Sequence, residues 1–224
     1  MTEQIFRGIE LLPESMPVKQ LFILLHGVGA RSSDIVPLAN KLRNAFPDAA
    51  FLLPDGTSPF DGGNGRQWFS ISGISEGNRA SRVAGAIPAL QAIVKNAQDR
   101  FKVLPSDTAL VGFSQGAIMA LEFSVLNDGG VGRVLAFSGR FAKLPEKAPE
   151  LTTLHLLHGE DDPVMPVAHA YAAYERLMEL NGDVTLDVAS SVGHELHEAL
   201  SSRAIQRLQT CIPLRSWKQA LNSA

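Results

Sequence analysis

The sequence carries a single cysteine, Cys211, in 224 residues. One thiol cannot form an internal disulfide or a cysteine-built metal site, and its isolation fits a reducing compartment. No uninterrupted apolar run approaches the ~18 residues that a membrane span requires. The first residues, MTEQIFRGIELLPESMP, contain no basic stretch followed by an apolar core, so no signal peptide is expected. Neither sign of charge dominates: 20 basic and 23 acidic side chains leave a net charge of −3. With no basic cluster, nucleic acid is not an expected partner. Phosphate-cradling patterns of the G-x-x-x-x-G-K-[ST] and G-x-G-x-x-G type are missing, which leaves nucleotide binding without support. There is no internal repeat, linker or low-complexity tract. The expectation is a soluble cytoplasmic protein.

What is present suits one α/β domain. Hydrophobic residues make up 45% of the chain, enough for one full core but short for two domains. Residues 5–12 read as an edge strand, with a proline-bearing turn over 14–19. The unbroken apolar run over 20–25 has the pattern of a strand buried on both faces. Further strands are predicted over 49–53, 109–111, 133–137, 154–158 and 184–189. Helices are predicted from 32–34 to 46, over 76–99 with Pro88 inside, over 115–126, over 166–180 and over 195–209. After Pro213 a short tail remains. Strands alternate with helices, which predicts a mostly parallel central sheet with helices on both faces and little or no lid. In such a sheet reactive residues belong at the carboxyl ends of the strands.

The centre of the pattern is TALVGFSQGAIMALEFSVL, residues 108–126. An extended apolar run turns at Gly112-Phe113-Ser114-Gln115-Gly116 and leaves as a helix. G-x-S-x-G between strand and helix is a nucleophile elbow: the serine is thrust outward on a strained turn, and glycines flank it because side chains there would strike neighbouring backbone. The free N–H groups of the new helix point at the serine.

A serine hydroxyl needs a base to take its proton, and that base needs an acid to fix its tautomer. In this architecture the chain order is serine, acid, histidine. Asp161 and Asp162 both follow the strand ending at His158. Asp162 precedes Pro163 and is biased to extended backbone, which favours it, with Asp161 as a solvated turn residue. His194 lies in a loop after the last strand. His197 is its rival but falls inside the last helix, facing solvent. His155 and His169 break the order; His155 reads as a strand residue, His169 as a helix surface residue and His26 as structural. Two backbone N–H groups must receive the oxyanion, assigned to Gln115 and to Val28 in the His26-Gly27-Val28-Gly29 loop. His194-Glu195-Leu196-His197 is one residue short of the zinc-protease H-E-x-x-H.

Residues 56–75 are rich in Gly, Ser and Pro yet carry Phe60, Trp68, Phe69 and Ile74. They read either as a functional loop or as a flap over the sheet edge with Trp68 in the core. Within it, residues 61–65 read as a flexible tip. Cys211 reads as core or interface, and the tail around Trp217 offers an apolar patch for a homodimer.

In order and rough spacing, LLHGVG, RQWFS, GFSQGA, HGEDDPV and GHEL resemble the phospholipase/carboxylesterase family of α/β-hydrolases, which includes bacterial carboxylesterases and acyl-protein thioesterases. The likeness spans nearly the whole chain. It implies a cofactor-free and metal-free serine hydrolase with Ser114, Asp162 and His194 as triad. It supports Val28 and Gln115 as oxyanion donors and suggests that Trp68 and Phe69 border the substrate cleft. The expected substrate is a small carboxylic ester of short to medium acyl chain; a thioester, lipid or acyl-protein substrate is the alternative, and a non-catalytic binding module is a third reading. The chain departs from the family at Ala30 and Ser70, where members often carry aspartate.

Overall fold

A computed structural model of the protein describes residues 6–14 and 16–222. The expected edge strand reaches beyond these at residue 5, as do the 14–19 turn at residue 15 and the tail at 223–224. The elements, in chain order, are β1 (Gly8–Leu11), β2 (Gln20–Leu25), a 3₁₀ turn (Ser32–Ile35), α1 (Val36–Ala45), β3 (Ala49–Pro54), β4 (Ser58–Pro59), β5 (Arg66–Gln67) and α2 (Glu76–Phe101). A second 3₁₀ turn (Pro105–Asp107) leads to β6 (Thr108–Phe113), α3 (Gln115–Leu126), β7 (Arg133–Phe137), β8 (Thr153–Gly159), α4 (Ala168–Glu179), β9 (Val184–Ala189), α5 (Glu198–Thr210) and α6 (Leu214–Asn222).

Seven strands form one sheet in the order β1-β3-β2-β6-β7-β8-β9. Only β1 runs antiparallel, along β3; the other pairs are parallel. The period-2 alternation of strand side chains sorts the core into two layers. On one face Leu21, Ile23, Leu25, Leu110, Val134, Ala136 and Leu156 meet α2, α3 and α4. On the other, Phe22, Leu24, Phe51, Val111, Leu135 and Leu157 meet α1 and α5. The continuous apolar runs of the central strands follow from burial on both faces. The fold is that of an α/β-hydrolase.

Two boundaries differ from the sequence reading. The last main helix starts at Glu198 because His197 is its N-cap: its Nδ1 accepts the N–H of Ala199 at 3.2 Å, so His197 lies before the helix. The tail is helical rather than merely short. Asp183 Oδ2 accepts the Leu214 N–H at 2.9 Å, anchoring the first turn of α6, and Trp217 and Leu221 stand exposed on it.

The 56–75 segment folds back on the body of the protein. β4 and β5 pair with each other. The Gly29 N–H donates to Arg66 O at 2.8 Å and the Arg66 N–H to Ala30 O at 2.9 Å. A Cβ on Gly65 would lie 1.8 Å from Gly29 O, so only glycine permits this approach. Asp61 is no bare tip: its carboxylate accepts Ser70 Oγ–H at 2.6 Å and Gln67 Nε2–H at 2.8 Å.

Candidate active site

Ser114 stands between β6 and α3 at φ 53°, ψ −114°, outside the left-handed well that non-glycine residues occasionally enter. The turn is held by its own bonds: the Ser114 N–H donates to Phe137 O at 2.9 Å, and Ser114 O accepts from Ala117 and Ile118. The flanking glycines have the steric role expected of them. A Cβ on Gly112 would lie 2.3 Å from Gly116 O, and one on Gly116 would lie 2.1 Å from Leu25 O.

Three side chains distant in sequence meet here. His194 Nε2 lies 3.0 Å from Ser114 Oγ, and His194 Nδ1 lies 2.7 Å from Asp162 Oδ2. With Asp162 ionised, Nδ1 carries the proton and Nε2 is the acceptor facing the serine hydroxyl. The His194 ring leans on Phe113, centroid to centroid 4.9 Å. Asp162 is 5% exposed. Burial works against its charge, but the Met165 N–H, the His194 ring and the Val164 N–H outweigh burial and hold its pKa below the usual carboxylate value. Val164 and Met165 donate to Oδ1 at 2.9 and 2.7 Å, leaving Oδ2 for the histidine. Asp161, by contrast, is exposed.

One residue in this arrangement escaped the sequence reading. His158, at the end of β8, is 1% exposed. Its Nε2–H donates to Met165 O at 2.7 Å, fixing the turn that presents the Met165 N–H to Asp162. Burial lowers its pKa, so it stays neutral. The available signal was a second histidine, after His155, next to the last residue of the strand.

The acid and base loops are also joined. The Asp161 N–H donates to Val192 O at 3.0 Å and the Glu160 N–H to Ala189 O at 2.9 Å. A Cβ on Gly159 would sit 2.3 Å from Val192 O.

Val28 lies in a turn closed by the Ala30 N–H on Gly27 O at 3.3 Å, with Gly29 at φ +76°. Among the described residues, neither the Val28 nor the Gln115 N–H has a protein acceptor. His26 is structural, as expected: its Nε2 accepts the Gly56 N–H at 2.8 Å, which leaves Nδ1–H to donate to Gly27 O at 2.7 Å. Trp68 and Phe69 are 2% and 5% exposed. His155 is fully buried in β8, and His169 is half-buried at the start of α4, 3.3 Å from Arg140. Among the described residues, no cluster of three or more His, Cys, Asp or Glu side chains could hold a metal ion, and no helix is long and apolar enough to cross a membrane.

Fold and site together define a member of the α/β-hydrolases, and residues 9–212 match the phospholipase/carboxylesterase family, to which the chain belongs. It is 42% identical to the esterase YpfH of Escherichia coli (strain K12) over 206 residues, covering 92% of this chain and 89% of that one. Acyl-protein thioesterase 1 of Saccharomyces cerevisiae is 28% identical over 177 residues, 71% of this chain and 78% of that one. Among solved structures, the esterase PE8 superposes with a TM-score of 0.84 at 29% identity, covering 92% of this chain and 98% of that one.

Proposed function

We propose that the protein is a serine esterase that cleaves small carboxylic esters of short to medium acyl chain through an acyl-enzyme. The observation that carries this reading is the continuous line Asp162–His194–Ser114, with contacts of 2.7 and 3.0 Å ending at a hydroxyl on a strained turn. Ser114 Oγ attacks the acyl carbonyl as His194 Nε2 takes its proton; Asp162 holds the tautomer and stabilises the imidazolium. The tetrahedral oxygen is received by the N–H groups of Val28 and Gln115, at the positive end of α3. His194 returns the proton to the leaving oxygen, and water then cleaves the acyl-enzyme by the same route. Trp68 and Phe69, almost fully buried and bonded to the Gln115 amide, stand behind the cleft rather than open to it. No cofactor is needed for any step.

A fluorophosphonate probe followed by peptide mapping tests the assignment. It labels Ser114 in the wild type and nothing in Ser114→Ala, whose ester turnover falls by about a millionfold. Asp162→Asn loses roughly ten-thousandfold, since the imidazole is then held in the wrong tautomer. Labelling elsewhere, or turnover surviving in Ser114→Ala, overturns the reading. The likeness to acyl-protein thioesterases motivates a matched comparison of oxygen esters with thioesters of equal chain length. We also place the protein in the cytoplasm, in line with its lone cysteine, and assign the exposed Trp217–Leu221 face of α6 to a homodimer contact; sedimentation equilibrium of Trp217→Ser against wild type tests the latter.

A further inference from the structure

We infer that the side chains of Gln115 and Trp68 form a strut that sets the spacing of the two oxyanion donors, so that both are positioning residues for the reaction; the inference rests on the proposed esterase function.

The Gln115 backbone supplies one donor, but its side chain is committed elsewhere. The residue is 3% exposed. Its amide clasps two successive backbone groups: Oε1 accepts the Trp68 N–H at 2.8 Å, and Nε2–H donates to Phe69 O at 2.8 Å. Trp68 carries the connection onward. Its indole Nε1–H donates to His26 O at 2.9 Å, and the two rings lie 5.5 Å apart. His26 Nδ1–H then holds Gly27 O at 2.7 Å. Beyond Val28, Gly29 is tied to Arg66, two residues before Trp68. Val28 is therefore pinned on both sides to the 66–69 segment that Gln115 grips. The line from one N–H to the other runs through side-chain hydrogen bonds at full burial, where geometry is held most firmly.

The chemistry explains the choice of residue. Any amino acid after the nucleophile offers a backbone N–H. The planar Gln115 amide accepts from the Trp68 N–H at one end and donates to the Phe69 carbonyl at the other, on a stem long enough to reach both. Glutamate lacks the donor, and an apolar side chain leaves Trp68 N–H and Phe69 C=O buried without partners. Removing an oxyanion donor costs about 10²–10³ in rate, so moving one out of line should cost a part of that.

The test compares wild type, Gln115→Met, Trp68→Phe and the double variant on p-nitrophenyl acetate, each checked for fold by thermal melting. Methionine keeps the volume of glutamine, and phenylalanine keeps an apolar ring without the N–H. Gln115→Glu, with a carboxylate in place of the donor, is the second route should the methionine variant fail to fold. The expected result is a roughly 10–100-fold loss of kcat in each single variant, with KM within about threefold. The affinity of an alkylboronic acid, whose Ser114 adduct places an oxygen between the two N–H groups, should fall in parallel. The double variant should lose little more than the worse single one, as parts of one strut do. A kcat within threefold of wild type in folded single variants, a loss confined to KM, or strictly additive losses overturns the inference. Absence of turnover and of fluorophosphonate labelling in the wild type would instead sink the esterase reading itself.

Discussion

Ser114 stores backbone strain, and the cost can be isolated by comparing two variants that both lack the hydroxyl. Ser114→Ala and Ser114→Gly both remove the hydroxyl and its 3.0 Å contact with His194, so those losses cancel in the comparison. What remains is one Cβ on a residue at φ 53°, ψ −114°. At an ordinary buried position, replacing alanine by glycine lowers stability by about 1–2 kcal/mol, through greater freedom of the unfolded chain and the lost burial of a methyl group. At Ser114 the Cβ is held in a conformation that costs on the order of 1–3 kcal/mol. Lys102 shows the difference: at φ 57°, ψ 35° it lies in the normal left-handed well, and ψ alone places Ser114 outside it. The glycine variant should therefore lie between about 1 kcal/mol below the alanine variant and about 2 kcal/mol above it, instead of the ordinary loss of about 1–2 kcal/mol; 2 kcal/mol is roughly 4–8 °C in melting temperature for a chain of this size. Urea denaturation at pH 7, with both variants fitted to a common slope, measures the difference. A glycine variant less stable than the alanine variant by more than about 1 kcal/mol would show that the turn carries no strain worth the name.

Three further outcomes follow from other sites. Gly116→Ala should abolish soluble expression or activity, since its Cβ would meet Leu25 O at 2.1 Å, whereas Gly85→Ala, in α2 with nothing within 4 Å, should raise stability by about 0.5–1 kcal/mol in the same urea assay. His155 is buried between Arg133 and Thr185, and burial, with Arg133 beside it, pushes its pKa down to about 3. The unfolded state then binds a proton that the folded state refuses, so stability is intact above about pH 6.5 and is lost as pH falls towards 3, by on the order of 2–3 kcal/mol at pH 4.5; His155→Gln should flatten that part of a stability–pH curve, and an unchanged slope would refute the assignment. Burial raises the pKa of Glu122, whose Oε1 accepts the Ala142 N–H at 2.6 Å. Here the folded state holds its proton longer, so stability falls as pH rises from the ordinary carboxylate range through the raised pKa; Glu122→Gln should gain on wild type between pH 4 and pH 8, read from urea midpoints.

Much of the fold was legible because its physics is local. The strand over 133–137 shows in the apolar run Val134–Phe137 and that over 184–189 in the alternation of Val184, Leu186 and Val188 with Thr185 and Asp187, and Asn181-Gly182 ends α4 about where the turn chemistry says. The candidate site was legible for a different reason: an elbow needs two glycines at fixed distances from a serine, and a triad's acid and base follow in later strand-end loops. His197 was misplaced because apolar periodicity over 195–209 hides a cap whose acceptor is a ring nitrogen rather than a hydroxyl or carboxylate. The helix after Pro213 went unseen although Leu214, Trp217 and Leu221 fall at helical spacing, because it is only nine residues long and its anchor, Asp183, lies in another loop. Residues 56–75 left two readings open, and the structure joins them, since Trp68 is core and also bears on the Ser114 elbow.

That last segment shows what kind of information a single chain withholds. Composition marked residues 56–75 as irregular, because glycine and serine define no period. Besides the β4–β5 pairing and the bonds to Asp61, its order comes from outside: Gly29 and Ala30 supply backbone partners, Gln115 an amide and His26 a carbonyl. None of these four contributes a pattern within the segment, and each lies in a loop or helix start that has its own reason to exist. The same holds for Asp162, which is oriented by the N–H groups of Val164 and Met165, while His158 holds Met165 O. The proposed reacting groups can be named from spacing because their chemistry fixes their residue types. The groups that aim them are chosen only for shape and hydrogen-bonding capacity, which several residue types share, so they become visible only when the loops are seen together.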